Sequence, residues 1–220
     1  MPDVADLVCR WAPELDAVDG DVLDLACGSG QNGLFLARRD LEHGRSDRKI
    51  VLIDRKIEDA VKCTADLPEA AAARVEHREA RNLKLSSLLA VDLETEENPT
   101  PLQAEAYGAA LVFNYLHRPL IPNLRDSIKP GGLVVYKTFT WEHPSIGVRP
   151  RNPAFLLGPD ELKEMFQGWD VLDFFEGVEE REARDAEGCS KVRRGAVSSI
   201  VCRKRRLLLP SSSEPAIAKC

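Results

Sequence analysis

The chain lacks the features that mark membrane and secreted proteins. None of its apolar runs approaches the roughly 20 residues of a membrane-spanning helix, and its first residues are acidic rather than basic. Its six cysteines show no Cys-x-x-Cys spacing and only four histidines accompany them, so we expect no metal site. We therefore expect reduced thiols, no membrane partner and a cytoplasmic location, with the nucleus as the alternative.

An excess of basic residues is also missing. The formal net charge is −6 and the isoelectric point is about 5.4, which argues against a broad phosphate-binding face. The one basic cluster, residues 203–206, is short and is typical of a solvated strand end. Nucleic acid is therefore not an expected partner.

The length of 220 residues predicts a single domain, which we place at residues 1–209. Residues 94–106 are polar and contain two prolines, so we expect a surface loop inserted within that domain. Residues 210–220 are rich in serine and proline and predict a disordered tail.

Short apolar segments alternate with amphipathic helical ones as far as residue 140. This alternation predicts an α/β fold, a doubly wound, Rossmann-like, seven-stranded and mostly parallel sheet. No helical pattern separates the last two strands, and the charged residues between them, 179–194, predict a solvated loop. We therefore expect an antiparallel strand pair at the edge of the sheet. The predicted strands are 22–26, 50–53, 74–78, 109–113, 133–136, 171–175 and 197–202.

Residues 22–33, VLDLACGSGQNG, are the most informative segment. A strand leads into a Gly-x-Gly-x-x-Gly turn at Gly28, Gly30 and Gly33, and Asp54 closes the next strand about twenty residues later. The glycines permit close approach of a ligand, the helix start offers N–H groups to an anion, and a carboxylate at Asp54 suits a ribose diol. Together they predict a nucleoside-bearing cofactor.

The choice of cofactor depends on Asp24, which lies inside the first strand. The glycine turn alone also matches the dinucleotide fingerprint of an NAD-dependent oxidoreductase. A carboxylate next to the turn disfavours an anionic pyrophosphate, whereas it favours the sulfonium and ammonium groups of S-adenosylmethionine. We therefore predict S-adenosylmethionine and keep NAD as the less favoured alternative.

These motifs resemble those of class I S-adenosylmethionine-dependent methyltransferases, in the order glycine turn, Asp54 and the Lys-Pro-Gly-Gly of residues 129–132. Residues 114–120, 136–139 and 149–157 are similar to the tellurite-resistance (TehB-like) group of that family. The resemblance covers residues 20–203 and implies a seventh strand inserted antiparallel between the fifth and sixth.

The resemblance also implies which residues hold the cofactor. Asn82 stands near the place where the family often has an acid beside the adenine, and Asn114 with Tyr115 ends the fourth strand beside the transferable methyl. The implied cofactor-binding residues are Asp24, Gly28, Ser29, Gly30, Asp54, Asn82 and Asn114.

The methyl acceptor is less well defined by the sequence. Methyl transfer chiefly requires that the partners be oriented and desolvated. The candidate catalytic residues are His117, Tyr115 and Arg118, and His143 and Tyr136 are further candidates for a base. Arg149 and Arg151, which lie between prolines, could clamp an oxyanion, or they could belong to a stiff surface loop.

We therefore expect an S-adenosylmethionine-dependent methyltransferase that acts on a small-molecule nucleophile, of the metalloid oxyanion or thiol type. The alternatives are an RNA or protein methyltransferase of the same fold, an NAD-dependent oxidoreductase, and a cofactor-binding protein without activity. The sequence predicts no oligomeric state.

Overall fold

A computed structural model shows one twisted sheet with helices on both of its faces. It describes residues 4–79, 102–147, 149–184 and 190–206. The predictions for Asn82, for most of the 94–106 loop and for the 210–220 tail lie outside the described residues. No helix in the described part of the chain is long and apolar enough to cross a membrane.

The sheet has seven strands in the order β3-β2-β1-β4-β5-β7-β6. Strands β1 to β5 pair in parallel, whereas β7 lies antiparallel to both β5 and β6. This confirms the predicted fold class, including the antiparallel edge pair. The strands are β1 (Asp21–Leu25), β2 (Ile50–Asp54), β3 (Val75–Glu79), β4 (Tyr107–Phe113), β5 (Ile128–Phe139), β6 (Asp170–Arg184) and β7 (Ser190–Arg203).

Seven helices and three short 3-10 turns connect the described strands. The longest helix directly follows the glycine turn and ends where Gly44 takes a left-handed backbone, as glycine does after many helices. The helices are α1 (Asp6–Arg10), α2 (Ala12–Ala17), α3 (Gln31–Glu42), α4 (Glu58–Ala65), α5 (Glu69–Ala72), α6 (Ile121–Ser127) and α7 (Glu161–Met165), and the 3-10 turns are Arg118–Leu120, His143–Ile146 and Pro153–Phe155.

The sheet separates two hydrophobic cores. Helices α1 to α5 pack on one face and helices α6 and α7 on the other. In β2, Ile50 and Leu52 belong to the first core, while Val51 and Ile53 belong to the second. Burial on both faces explains why this strand is apolar up to Asp54. The carboxyl ends of the parallel strands remain as the edge where a ligand can bind.

The prediction of a solvated loop at 179–194 is wrong for most of that segment. β6 continues to Arg184 and β7 begins at Ser190, so the two strands form a hairpin that extends past the last β5 pairing, Phe139 with Val197. Glu180 lies opposite Arg194, and their side chains form an ion pair at 3.0 Å. A ribbon of only two strands covers no core, so its sequence need not alternate apolar and polar residues. Its composition therefore resembles that of a loop.

Candidate functional site

The turn after β1 has a left-handed backbone at three positions. Ala26, Gly28 and Gly30 have φ angles of 54°, 57° and 77°. Glycine adopts this conformation without strain, whereas at Ala26 it costs roughly 1–2 kcal/mol. The Gly30 N–H donates to the carbonyl of Cys27 at 2.9 Å, which closes the turn and points the N-terminus of α3 at the ligand edge.

The three glycines have different surroundings. A Cβ built on Gly28 would have nothing within 4 Å, whereas one on Gly30 would lie 2.9 Å from the Leu52 side chain and one on Gly33 only 2.5 Å from it. Gly28 is therefore the position that a ligand can approach. Gly30 and Gly33 let α3 pack against β2, and Ser29 is half-buried with its hydroxyl donating to Gln31 Oε1 at 2.6 Å.

Two carboxylates hold the turn at its two ends. Asp54 Oδ2 accepts a hydrogen bond from the Gly28 N–H at 2.8 Å, and Asp54 Oδ1 accepts one from the Lys56 N–H at 2.9 Å. Asp24 Oδ2 accepts one from the Gly33 N–H at 2.8 Å. Asp54 is only half-buried and each of its oxygens keeps a second lone pair, so it can still accept from a ligand hydroxyl.

Asp24 is buried, with only 2% of its surface exposed. Burial raises the pKa of this carboxyl to about 7, the Gly33 N–H opposes the shift, and the charge of Asp54 adds to it. The structure thus places Asp24 inside the protein next to the turn rather than on its open side. It can influence a cofactor through its charge and through the position of α3.

This burial makes stability depend on pH in a way that Asp24→Asn should remove. The folded protein keeps the carboxyl protonated up to about pH 7, whereas the unfolded chain ionises it near pH 4, so wild-type stability falls as pH rises between these values. An amide can still accept from Gly33. In urea unfolding, the free energy of unfolding of the variant relative to wild type should rise between about pH 4 and pH 8, by on the order of 4 kcal/mol. Parallel pH profiles for the two proteins would contradict the assignment.

Asn114 and Tyr115 follow β4 at the ligand edge, as the sequence predicts. Asn114 is exposed with a φ of 55°, and its N–H donates to the carbonyl of Lys137 at 2.9 Å. Tyr115 is half-buried against the core below, and its carbonyl accepts from the Tyr136 hydroxyl at 2.8 Å. His117 is half-buried, and its Nε2 has no hydrogen-bond partner in the described part of the chain.

Arg118 holds residues 149–158, the part of the connection between β5 and α7 that we call the crossing segment. Its guanidinium pairs with Glu161 at 2.5 and 2.9 Å and donates to the carbonyls of Ala154 at 3.0 Å and Leu156 at 2.9 Å. These bonds occupy most of its donors, and the pairing with Glu161 lowers the pKa of that carboxyl. The geometry gives Arg118 a positioning role.

Arg149 and Arg151 lie on the same crossing segment and are exposed. Neither guanidinium has a hydrogen-bond or ion-pair partner among the described residues, so both are available to an anion. Pro150 follows Arg149 through a cis peptide bond. The Arg149 carbonyl forms a hydrogen bond with His143 Nε2 at 2.7 Å. Trp141, two residues before His143, has 58% of its surface exposed.

Three other reactive groups serve the fold. The Tyr136 hydroxyl is bound to Tyr115, and burial raises its pKa. Burial also raises the pKa of the Cys27 thiol, which disfavours the reactive thiolate. His143 Nε2 donates a hydrogen bond to the Arg149 carbonyl, and His143 Nδ1 accepts one from the Ala196 N–H at 3.2 Å. Both ring nitrogens are therefore engaged.

Asn32 is a residue of the site that the sequence analysis missed. It is buried in the first turn of α3, and its Oδ1 accepts from the Ala5 N–H at 2.9 Å, just before α1. The bond holds the start of the chain next to the glycine turn. The only signal in the sequence was a polar residue at a position that proves to be buried. The described residues contain no cluster of three metal-ligating side chains.

Comparison with known proteins finds similarity to S-adenosylmethionine-dependent methyltransferases. No protein-family model matches the chain. A curated protein from Haemophilus influenzae, the probable S-adenosyl-L-methionine-dependent methyltransferase TehB, is 27% identical over 176 residues, which are 76% of this chain and 52% of that protein. The crystal structure of H. influenzae TehB superposes with a TM-score of 0.60 at 17% identity, covering 93% of this chain and 64% of that one.

The chain resembles TehB and has the class I methyltransferase fold. A structure described as an S-adenosylmethionine-dependent methyltransferase, from Methanosarcina mazei, shares this fold (TM-score 0.55, 15% identity, 92% of this chain and 99% of that one). A [4+2]-cyclase, SpnF, shares it as well (TM-score 0.57, 17% identity, 90% and 80% coverage). The methyltransferase fold therefore does not by itself determine the reaction. The chain spans about half the length of the curated TehB.

Proposed function

We propose that the chain binds S-adenosylmethionine across the glycine turn and transfers its methyl group to a small-molecule nucleophile. The observation that carries this proposal is the open space at Gly28 beside the Asp54 carboxylate, which lies 2.8 Å from the Gly28 nitrogen. Asp54 would hold the ribose hydroxyls, and the N–H groups at the start of α3, before Gly33, would hold the methionine carboxylate. The ionised form of Asp24 would favour the cofactor's positive charge.

When bound, S-adenosylmethionine supplies an electrophilic methyl group on a sulfonium. The remaining work of the protein is to orient the acceptor and exclude water. Asn114 and Tyr115 stand at the end of β4, where the acceptor would meet the cofactor. Arg118 holds the crossing segment in place through Ala154 and Leu156. Asn82 remains our candidate for the adenine edge.

The acceptor we propose is a metalloid oxyanion or a thiol. Both offer a lone pair without a strong base, which agrees with the few bases at the ligand edge. Of the candidate catalytic residues, His117 is the one with a side-chain nitrogen that lacks a partner in the described structure. The exposed Arg149 and Arg151 would attract an anionic acceptor. A cytoplasmic location is part of the same proposal.

A labelled-methyl assay tests the function. Purified protein is incubated with S-adenosylmethionine carrying a radioactive methyl and with selenite, tellurite, small thiols, total RNA or lysate protein. We expect label in the small-molecule products, and none with Asp54→Ala. Transfer to RNA or protein alone would favour the macromolecular alternative. No transfer to any acceptor by a protein that binds the cofactor would contradict the proposed activity.

A further inference from the structure

Three buried polar atoms near the ligand edge have no hydrogen-bond partner. They are Thr140 Oγ1, Ser198 Oγ and His117 Nε2, judged against the residues that the structure describes. Thr140 is 2% exposed and Ser198 is completely buried. Buried hydroxyls almost always have a partner, so unsatisfied ones indicate a ligand or an ordered water.

The two hydroxyls lie on one face of the sheet. Ser198 in β7 is opposite Thr138 in β5, and the Thr140 N–H donates to the Ala196 carbonyl at 3.0 Å. Thr138 and Thr140 alternate with Phe139, so both project to the face that also carries Tyr136. Thr140 and Ser198 are thus diagonal neighbours, within reach of one small group.

The crossing segment adjoins the same place, and the chain just before His117 is bound from the same face of the sheet. The Tyr136 hydroxyl reaches the carbonyl of Tyr115, two residues before His117, from this face of the sheet. The Leu157 N–H donates to the Phe139 carbonyl at 2.9 Å, and the Trp141 N–H donates to the Leu157 carbonyl at 2.8 Å. Leu157 of the crossing segment is therefore bound to both neighbours of Thr140 in the sequence, Phe139 and Trp141.

We propose that the hydroxyls of Thr140 and Ser198 form an acceptor subsite that donates hydrogen bonds to an anionic oxygen of the methyl acceptor. This inference rests on the proposed function and adds residues to its acceptor site. Hydroxyls rotate freely and can both donate to one oxygen. Arg149 and Arg151 on the crossing segment, which have no partner among the described residues, have the charge to attract such an anion.

The anionic oxygen could belong to an organic carboxylate or to a metalloid oxyanion. Two probes separate these sources, namely (methylthio)acetate, which is a carboxylate with a thioether, and selenite. Calorimetry measures the binding of each probe to the 220-residue chain saturated with S-adenosylhomocysteine. Because this readout requires no turnover, it remains informative if the labelled-methyl assay fails.

The test variants are Thr140→Val and Ser198→Ala, and Ser127→Ala is the matched control. Ser127 is also completely buried, but its hydroxyl donates to the Leu124 carbonyl at 2.8 Å. Thr140→Val and Ser198→Ala should each weaken binding of at least one probe about tenfold and leave S-adenosylhomocysteine affinity unchanged. Their melting temperatures should hold or rise, since no hydrogen bond is lost. Ser127→Ala should melt lower and bind the probes normally.

The outcomes distinguish this subsite from the proposed function. Weaker (methylthio)acetate binding alone supports a carboxylate, and weaker selenite binding alone supports an oxyanion. The subsite is overturned if wild-type protein binds S-adenosylhomocysteine but neither probe. It is also overturned if both variants bind the two probes as tightly as wild type does, because the hydroxyls would then hold water instead. Failure to bind S-adenosylhomocysteine contradicts the proposed function itself.

Discussion

Asp40→Ala is expected to lower the free energy of unfolding by about 3–5 kcal/mol, as removal of one partner of a buried ion pair does. Asp40 in α3 accepts from Arg48 Nε at 2.8 Å and from Arg48 Nη2 at 2.6 Å. Arg48 Nη1 also donates to the Leu15 carbonyl at 2.6 Å. The two side chains are only 2% and 0% exposed, so the substitution would leave a guanidinium charge buried without its counter-ion.

Urea unfolding measures this loss, and Asp47→Ala is the matched control. Asp47 also makes a two-point contact with an arginine, Arg45, but its side chain is 60% exposed. Its removal should leave the urea midpoint nearly unchanged, because solvent screens such pairs. The double replacement Asp40→Leu with Arg48→Met should recover much of the stability. A loss below about 1 kcal/mol for Asp40→Ala would show that the pair does not anchor α3 to the chain just before β2.

The second large effect concerns cofactor affinity. Asp54→Ala should raise the dissociation constant for S-adenosylmethionine about 100-fold or more, because roughly 3 kcal/mol of charge-assisted hydrogen bonding to the ribose would be lost. The variant also loses the contact of Asp54 with the Gly28 N–H. Calorimetric titration measures the change, and a melting curve confirms that the variant is folded.

Asp59→Ala is the control for this experiment. Asp59 lies five residues further on, in the first turn of α4, and pairs with Lys62 at 3.4 Å through a side chain that is 77% exposed. It changes the net charge as Asp54→Ala does, without touching the turn. If both variants bound S-adenosylmethionine as tightly as wild type, Asp54 would have no role in binding.

The positions of the strands and the glycine turn could be predicted because their signals are local, whereas the placement of the seventh strand followed from the resemblance. A strand buried on both faces must be apolar, as Ile50–Asp54 is up to its last residue. The left-handed backbone at Gly28 and Gly30 requires glycine or strain, so those residues mark the turn. The left-handed Ala26 carries no such mark, because its sequence neighbours do not distinguish it from an ordinary strand end.

Features that depend on contacts distant in sequence could not be predicted. Arg118 reaches Glu161 and the carbonyl of Leu156, 43 and 38 residues away. Its sequence context favoured a surface position at a helix start as much as a role toward the substrate, and gave no sign of these contacts. The extension of the β6–β7 hairpin depends on pairing across residues whose composition is typical of a loop. The unsatisfied hydroxyls of Thr140 and Ser198 become visible only when their surroundings are known.

Titration of the wild-type protein with S-adenosylmethionine in a calorimeter, with NAD as the comparison, tests the central claim most directly. We expect saturable binding of S-adenosylmethionine, displaced by S-adenosylhomocysteine, and no measurable heat from NAD. This expectation follows from the open space at Gly28, the half-buried Asp54 and the buried Asp24. Folded protein that binds NAD and not S-adenosylmethionine, or that binds neither, would contradict the account.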